Sequence, residues 1–462
     1  MDNSVSQSTT TGSNTSVPNG VENSAASRRL VVSGFISTFV EWYDFLIYGI
    51  IAALVFDQAF FPDFSPAAGT LASLSTFAIG FAARPVGAVV FGHFGDRLGR
   101  RKVLIITLML MGGATTAIGL LPTYSSIGIW APILLIVLRL LQGISVGGEW
   151  GGVAMLLVES APTERRGRVG SWAQLGGYLG PLAGTLVVLG LAMSMSDEQF
   201  QAWGWRIPFL VSVLLVAVGM YIRLHIEESP VFEHEVEARE PEENRSPLAE
   251  VLRERKKPFF AVAIIHGGET AALFLGITFI PSFMKGEGHF SNTAASMAVA
   301  VFLVAASITV MLSVVWSDRV GRKIPVIVGS ALEIVGIYPI LLAATTGSWT
   351  LTIVSMILVG AGAGLVYGVE PAYFAELFPT RYRYTGVSVA VQIGVVVAGA
   401  TAPIIATAML VTYDLPLWTL GLYVAAWCAA SMAGAAAVGN PAGKSLIDDE
   451  TRPDDVAPLA TV

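Results

Sequence analysis

Twelve apolar stretches follow one another along this chain, near residues 30–56, 68–93, 102–122, 132–158, 169–193, 206–224, 258–284, 292–316, 324–345, 350–374, 386–411 and 416–438. Each is long enough for the helix of about 20 residues that crosses a hydrocarbon core about 30 Å thick. Lipid offers no partner to a backbone N–H or C=O, so stretches of this kind are expected to be helices. Composition agrees, with 54% hydrophobic and 13% charged residues, where soluble proteins carry roughly 25% charge. That leaves too little polar surface to wrap 462 residues in water, which sets aside a large soluble enzyme. The single cysteine, Cys428, excludes an intrachain disulfide and a cysteine-based metal cluster. No basic domain points to nucleic acid.

The polar breaks divide the chain. Residues 1–27, rich in Ser, Thr, Asn and Gly and without Lys or Arg, are expected to form a disordered tail rather than a signal peptide. A first six-helix bundle occupies 28–224, a charged linker 225–257, a second six-helix bundle 258–440, and an acidic tail 441–462. The expected fold is therefore an all-α membrane protein of twelve transmembrane helices. An even number of crossings puts both termini on one side. Every Lys and Arg except Arg84, Arg139, Arg206 and Lys285 falls on that side, which the positive-inside bias makes cytoplasmic.

The halves repeat. Gly92-His-Phe-Gly-Asp96-Arg97-Leu-Gly-Arg100-Arg-Lys102 follows segment 2, and Ser317-Asp318-Arg319-Val-Gly-Arg322-Lys323 follows segment 8. Glu159-Ser-Ala-Pro-Thr163 with Arg166 follows segment 4, and Glu376-Leu-Phe-Pro-Thr380 with Arg383 follows segment 10. Both pairs recur roughly 220 residues apart, a duplication of the kind seen in transporters that rock two bundles about a midplane site. Val314 stands where the first copy has Gly92.

These loops, with Arg139-x-x-Gln142-Gly143 in segment 4, resemble the signatures of the major facilitator superfamily. Glu41-Trp-Tyr-Asp-Phe45, Ala83-Arg-Pro-Val-Gly87, Gly147-Gly-Glu-Trp-Gly-Gly152 and Trp203-Gly-Trp-Arg-Ile-Pro-Phe209 are similar to its metabolite:proton symporter family, nearest to the shikimate transporter branch. The resemblance spans about residues 28–440. It implies two pseudo-symmetric six-helix bundles, protons as the coupling ion with no other cofactor or metal, and a small organic acid as substrate. Segment 5 reads Gly176-x-x-x-Gly180-Pro181-x-x-Gly184, similar to a motif of antiporters, although small residues also simply let helices approach.

Ionisable residues inside a bilayer cost roughly 2.5–3.5 kcal/mol each at a helix centre, so they mark function. At about 1.5 Å rise per residue, Glu41 lies about 16 Å, Asp44 about 21 Å, Arg84 about 18 Å and Arg139 about 20 Å from the cytoplasmic edge. Two acids and two bases thus share one layer of the first half. Asp44, with Glu41, is expected to be the proton site and to pair with Arg139, because a carboxylate facing an arginine can exchange that partner for a proton. Arg84 or Arg139 is expected to hold a substrate carboxylate by two parallel hydrogen bonds. Tyr48 shares the helix face of Glu41 and Asp44, and Gln142 shares the Arg139 motif. A permanent ion pair joining segments 1, 2 and 4 is the structural alternative.

In the second half His266 and Glu269 share one helix face as a substrate or relay site, with Glu333, Glu370 and Tyr367 as weaker candidates. Trp42, Tyr43, Tyr48, Phe274 and Tyr338 are candidate cavity walls. Asp96, Arg97 and Arg100 are expected to form a cytoplasmic gate with Glu159 and Arg166, mirrored by Asp318, Arg319, Glu376 and Arg383, with Glu149 as a further gate or relay. The expected protein is thus a monomeric importer in the cell membrane, taking a small organic acid with protons. An exporter or antiporter, and an importer of a zwitterion such as proline or betaine, are the alternatives. A membrane-bound enzyme or sensor finds no nucleophile, phosphate loop or extramembrane domain to support it.

Overall fold

A computed structural model describes residues 24–225, 228, 229, 246–280, 283, 284, 290, 292–442 and 446. Lys285, most of both tails and the middle of the linker lie outside the described residues. The first bundle comprises α1 (Ser24–Leu54), α2 (Pro66–Leu98), α3 (Arg100–Leu120), α4 (Trp130–Glu159), α5 (Arg166–Ser194) and α6 (Arg206–Leu224). The second comprises α7 (Lys256–Phe274), α8 (Asn292–Val320), α9 (Lys323–Thr346), α10 (Trp349–Ala375), α11 (Arg383–Gly394, continued helically to Thr412) and α12 (Trp418–Val438). Twelve of these helical spans are long and apolar enough to cross a membrane. Helix α1 starts before Arg28, so the end of the expected disordered tail is helical.

The bundle is apolar outward, and its few polar and charged side chains turn inward among buried aromatic and small residues. On α6 the buried residues include Ser212, Gly219 and Arg223, whereas Leu214, Val218 and Tyr221 are at least half exposed. Such a face is solvated by lipid, and the helices behind it approach through small residues.

The glycines of α4 show how close that approach is. A Cβ on Gly147 would stand 2.0 Å from the Arg84 carbonyl oxygen of α2, and one on Gly148 2.2 Å from the Phe91 side chain. Gly151 abuts Ser388 and Gly152 abuts Tyr384, both on α11. One Gly-rich turn of α4 therefore seats α2 and α11 together, while the intervening Glu149 and Trp150 keep side chains for other tasks. Gly147→Leu is expected to cost at least the roughly 1–3 kcal/mol of overpacking and to depress the thermal midpoint in detergent. Gly190→Leu, where nothing lies within 4 Å, should leave it unchanged. On α5, Gly176 and Gly180 likewise lie against the Phe35 and Phe39 carbonyls of α1, so this stretch serves helix contact.

Candidate transport pathway and gate

The charges of the first half border a narrow void lined by Glu41, Asp44, Phe45, Arg84, Arg139 and Gln142. The expected Asp44–Arg139 ion pair is absent, and a chain of neutral side chains stands between them. Arg139 donates to Gln142 Oε1 (3.1 Å), Gln142 Nε2 donates to Thr115 Oγ1 (2.7 Å), and Thr115 Oγ1 donates to Asp44 Oδ2 (2.8 Å). Ser212 of α6 donates to the other oxygen, Oδ1, at 2.5 Å. The Arg139 guanidinium lies 3.9 Å from the Tyr48 ring centroid and 5.1 Å from that of Phe77. It finds in aromatic faces the attraction that a carboxylate was expected to supply. Arg84 lies over Phe81 and Phe45 in the same way, at 4.4 and 5.5 Å.

A second narrow void lies between the halves. Glu41 and Arg84 wall it as they wall the first, joined here by Trp42 and Trp150 from the first half and by His266, Glu269, Phe274, Tyr367 and Gln392 from the second. Each void leaves about 20 Å³ for the centre of a water molecule, and ~10–15 Å³ holds one water. Water fits, and a solute larger than a few waters does not fit in this arrangement of the halves. The Phe45, Phe81 and Phe274 rings meet edge to face across this boundary, with centroids 5.1 to 6.0 Å apart.

His266 does not face Glu269 as its hydrogen-bond partner: its Nδ1 lies 2.8 Å from Glu370 Oε2 on α10. Tyr178 of α5 donates to Glu269 Oε1 across the halves at 3.3 Å. The donor atoms of His266, Glu269 and Glu370 all lie within 4.8 Å of one another. Glu333 is buried behind them and accepts from Cys428 Sγ at 3.2 Å. Tyr43 is bonded to the Pro208 carbonyl within the first half and Tyr338 is partly exposed against Gly421, so neither walls the voids.

At the end of the bundle where α2 ends and α11 begins, the halves are joined by buried polar contacts. Asp96, at the end of α2, accepts from the backbone N–H groups of Tyr384 (3.1 Å) and Thr385 (2.9 Å) and from the Thr385 hydroxyl (2.7 Å). These are unpaired amides of the first turn of α11, so an acid of one half caps a helix of the other. Glu159 lies 2.9 Å from Arg383 and 3.3 Å from Arg100, and Arg100 also donates to the Thr380 carbonyl at 3.2 Å. Tyr384 fits against Gly95 and Gly152 and donates to the Gly148 carbonyl at 2.5 Å.

The mirrored cluster differs. Asp318 pairs with Arg322 at 2.6 Å, and Arg322 pairs with Glu376 at 3.1 Å, all within the second half, with Gly167 of α5 laid against Asp318 and Arg322. Arg97 and Arg319, expected in the gate, are exposed; Arg166 is buried. Arg322 was missed although the repeat marked it, since it follows Asp318 by the same four residues that separate Arg100 from Asp96. Glu149 is not a contact between halves: it pairs with Arg223 of α6 at 2.5 Å. Thr115 and Ser212 carry no sequence signal beyond being polar in apolar runs, and Tyr384 and Thr385 none beyond following Arg383 in a polar break.

Outside the membrane spans, Glu254 of the short helix Pro247–Glu254 meets Arg381 and Tyr382, and its carboxyl is held below the ordinary range chiefly by Arg381. Acidification should therefore weaken this exposed contact, although solvent screening keeps its effect on the bundle small.

Two bundles of membrane-spanning helices, polar voids at their boundary and buried charge contacts closing one end make a membrane transporter rather than an enzyme. Residues 30–259 match the family described as Sugar (and other) transporter, and residues 259–453 match Major Facilitator Superfamily. The shikimate transporter of Escherichia coli (strain K12) is 38% identical over 405 residues, covering 87% of this chain and 92% of that protein. The proline/betaine transporter of the same organism is 30% identical over 381 residues, 81% of this chain and 76% of that one. The proton:xylose symporter XylE, solved with 6-bromo-6-deoxy-D-glucose, has the same fold, with a TM-score of 0.75 at 18% identity over 92% of this chain and 98% of XylE. The chain belongs to the major facilitator superfamily.

Proposed function

We propose that this protein imports a small organic acid together with protons, by alternating access between its two bundles. The observation that carries the reading is the shared wall: Glu41 and Arg84 line both the void inside the first half and the void between the halves. A proton reaching Glu41 or Asp44 and a carboxylate reaching Arg84 therefore act on one group of charges. Arg84 has aromatic faces around it and no carboxylate within ion-pair distance among the described residues, which suits it to receive a carboxylate from a substrate. A proton on Asp44 removes the charge that draws the Thr115 and Ser212 hydroxyls, and the Gln142–Arg139 chain is then free to rearrange. The basic bias places the gate on the cytoplasmic side, so the closed gate belongs to a state that faces away from the cytoplasm. The similarity to the shikimate transporter favours an acid over a sugar.

Arg84→Gln tests the substrate half of this reading. Losing a charge-assisted contact of about 1.5–3 kcal/mol should raise the concentration needed for half-maximal shikimate uptake roughly 10- to 100-fold. The measurement is uptake of labelled shikimate into proteoliposomes under an inward proton gradient. Unchanged half-saturation, or an inward gradient that drives substrate out, would refute import of an acid through Arg84.

A further inference from the structure

The second half holds a buried cluster that the transport reading leaves without a task. His266 and Glu269 of α7 and Glu370 of α10 are each at most 4% exposed, with donor atoms within 4.8 Å of one another. Their polar atoms are only partly used. His266 Nδ1 engages Glu370 Oε2 and Tyr178 donates to Glu269 Oε1, while Glu269 Oε2 and Glu370 Oε1 are buried with no donor. Among the described residues no Lys or Arg lies within ion-pair distance of either carboxylate. One ion of charge two would satisfy both oxygens and balance both carboxylates at once. The void between the halves reaches His266 and Glu269 and has room for water, which supplies a way in and further ligand positions. On its opposite wall Arg84 opposes a cation, but Glu41 shares that wall, with an oxygen also buried without a donor.

We propose that His266, Glu269 and Glu370 bind one divalent transition-metal ion of the zinc class, and that the bound ion arrests transport. An imidazole nitrogen with two carboxylate oxygens suits zinc and its first-row neighbours, whereas calcium and magnesium take oxygen ligands. At metal–ligand distances of about 2.0–2.2 Å, two ligand atoms stand at most about 4 Å apart, so shifts of about 1 Å close the set. Tyr178 stays on Glu269 Oε1 and orients that ligand from the outer shell. The ion ties α7 to α10 beside the void, and one of its ligands is bonded to the first half through Tyr178. Occupancy therefore favours the arrangement in which the halves are together. Binding does not depend on what the protein carries; only the arrest rests on alternating access.

The test is calorimetric titration of zinc chloride into the purified, tag-free full-length chain in detergent, after treatment with a chelator. One ion per chain is expected, with a dissociation constant on the order of 1 μM or below, and magnesium at least about 100-fold weaker. His266→Ala and Glu370→Gln should each weaken zinc more than about 100-fold, and Tyr178→Phe, which removes only an outer-shell bond, roughly 10-fold. A chain combining His93→Ala, His225→Ala, His234→Ala and His289→Ala keeps only His266 and should bind zinc unchanged, whether or not the ligand variants fold. No binding, binding lost with those four histidines, or binding unchanged in both ligand variants overturns the site. In proteoliposomes, zinc should halt uptake of labelled shikimate with half-inhibition at the calorimetric constant, and a chelator should restore it. Full uptake at saturating zinc overturns the arrest. Absence of shikimate uptake before zinc is added counts against the organic-acid reading instead, and the titration still decides the site.

Discussion

Asp44→Asn is expected to abolish proton-driven accumulation while substrate exchange down its gradient survives. Thr115 and Ser212 meet different oxygens of Asp44; in asparagine one hydroxyl can still donate to the amide oxygen and the other can accept from the amide nitrogen, so the change removes charge with little change of shape. The fold should persist, because no arginine is left unpaired by the loss: Arg139 rests on Tyr48 and Gln142, not on Asp44. The ability to alternate between a charged and a protonated state does not persist. With one proton per substrate, each imposed pH unit supports about tenfold accumulation. In Asp44→Asn proteoliposomes the ratio should fall to one at every gradient, with counterflow of labelled substrate retained. Accumulation that still follows the pH gradient would remove Asp44 from the coupling mechanism.

Glu159→Ala should open the gate. Glu159 is buried between Arg100 and Arg383, and both lie in the apolar interior with it. Removing one member of a buried ion cluster costs roughly 3–5 kcal/mol because the remaining charges lose compensation. Parting the halves returns both guanidinium groups to water, so the cost falls on the closed state. The equilibrium should move toward the open state by roughly 10²–10⁴-fold. Spin labels at the exposed positions 97 and 319 would report it as a longer distance between the ends of α2 and α8, and the buried native Cys428 should not compete for label. A distance distribution unchanged from wild type would mean that Asp96 and the α11 amides hold the gate alone.

How much of this was legible beforehand differs by layer. Hydropathy decides the helices, because a lipid-facing stretch such as Leu210–Tyr221 must be apolar whatever lies behind it. The charged layer of Glu41, Asp44, Arg84 and Arg139 was also legible, because an ionisable group in a bilayer is rare enough to count. The pairing was not. Depth along a helix says nothing of azimuth, and Asp44 turned out to face α3 and α6 while Arg139 faces α2 and Tyr48. His266 and Glu269 share a helix face in sequence, but Glu370 from α10 reaches the histidine. The second half therefore carries more of the buried charge cluster than spacing suggested. In the gate, repetition located Asp96 and Glu159, yet two of the groups that reach Asp96 from the second half are backbone amides, which nearly every residue owns and no motif can flag.

The cap that Asp96 places on α11 also has a position in time. Its partners Tyr384 and Thr385 lie 288 and 289 residues further along the chain, and the Arg383 that meets Glu159 lies 224 residues beyond it. During synthesis the first bundle is inserted with Asp96 and Glu159 beside Arg100 of its own half and with Glu159 accepting from Ser229 of the linker, and it waits for the eleventh helix to supply the contacts across the halves. The gate is thus completed only after ten helices have been made, and a chain cut short before residue 383 has helices but no closure.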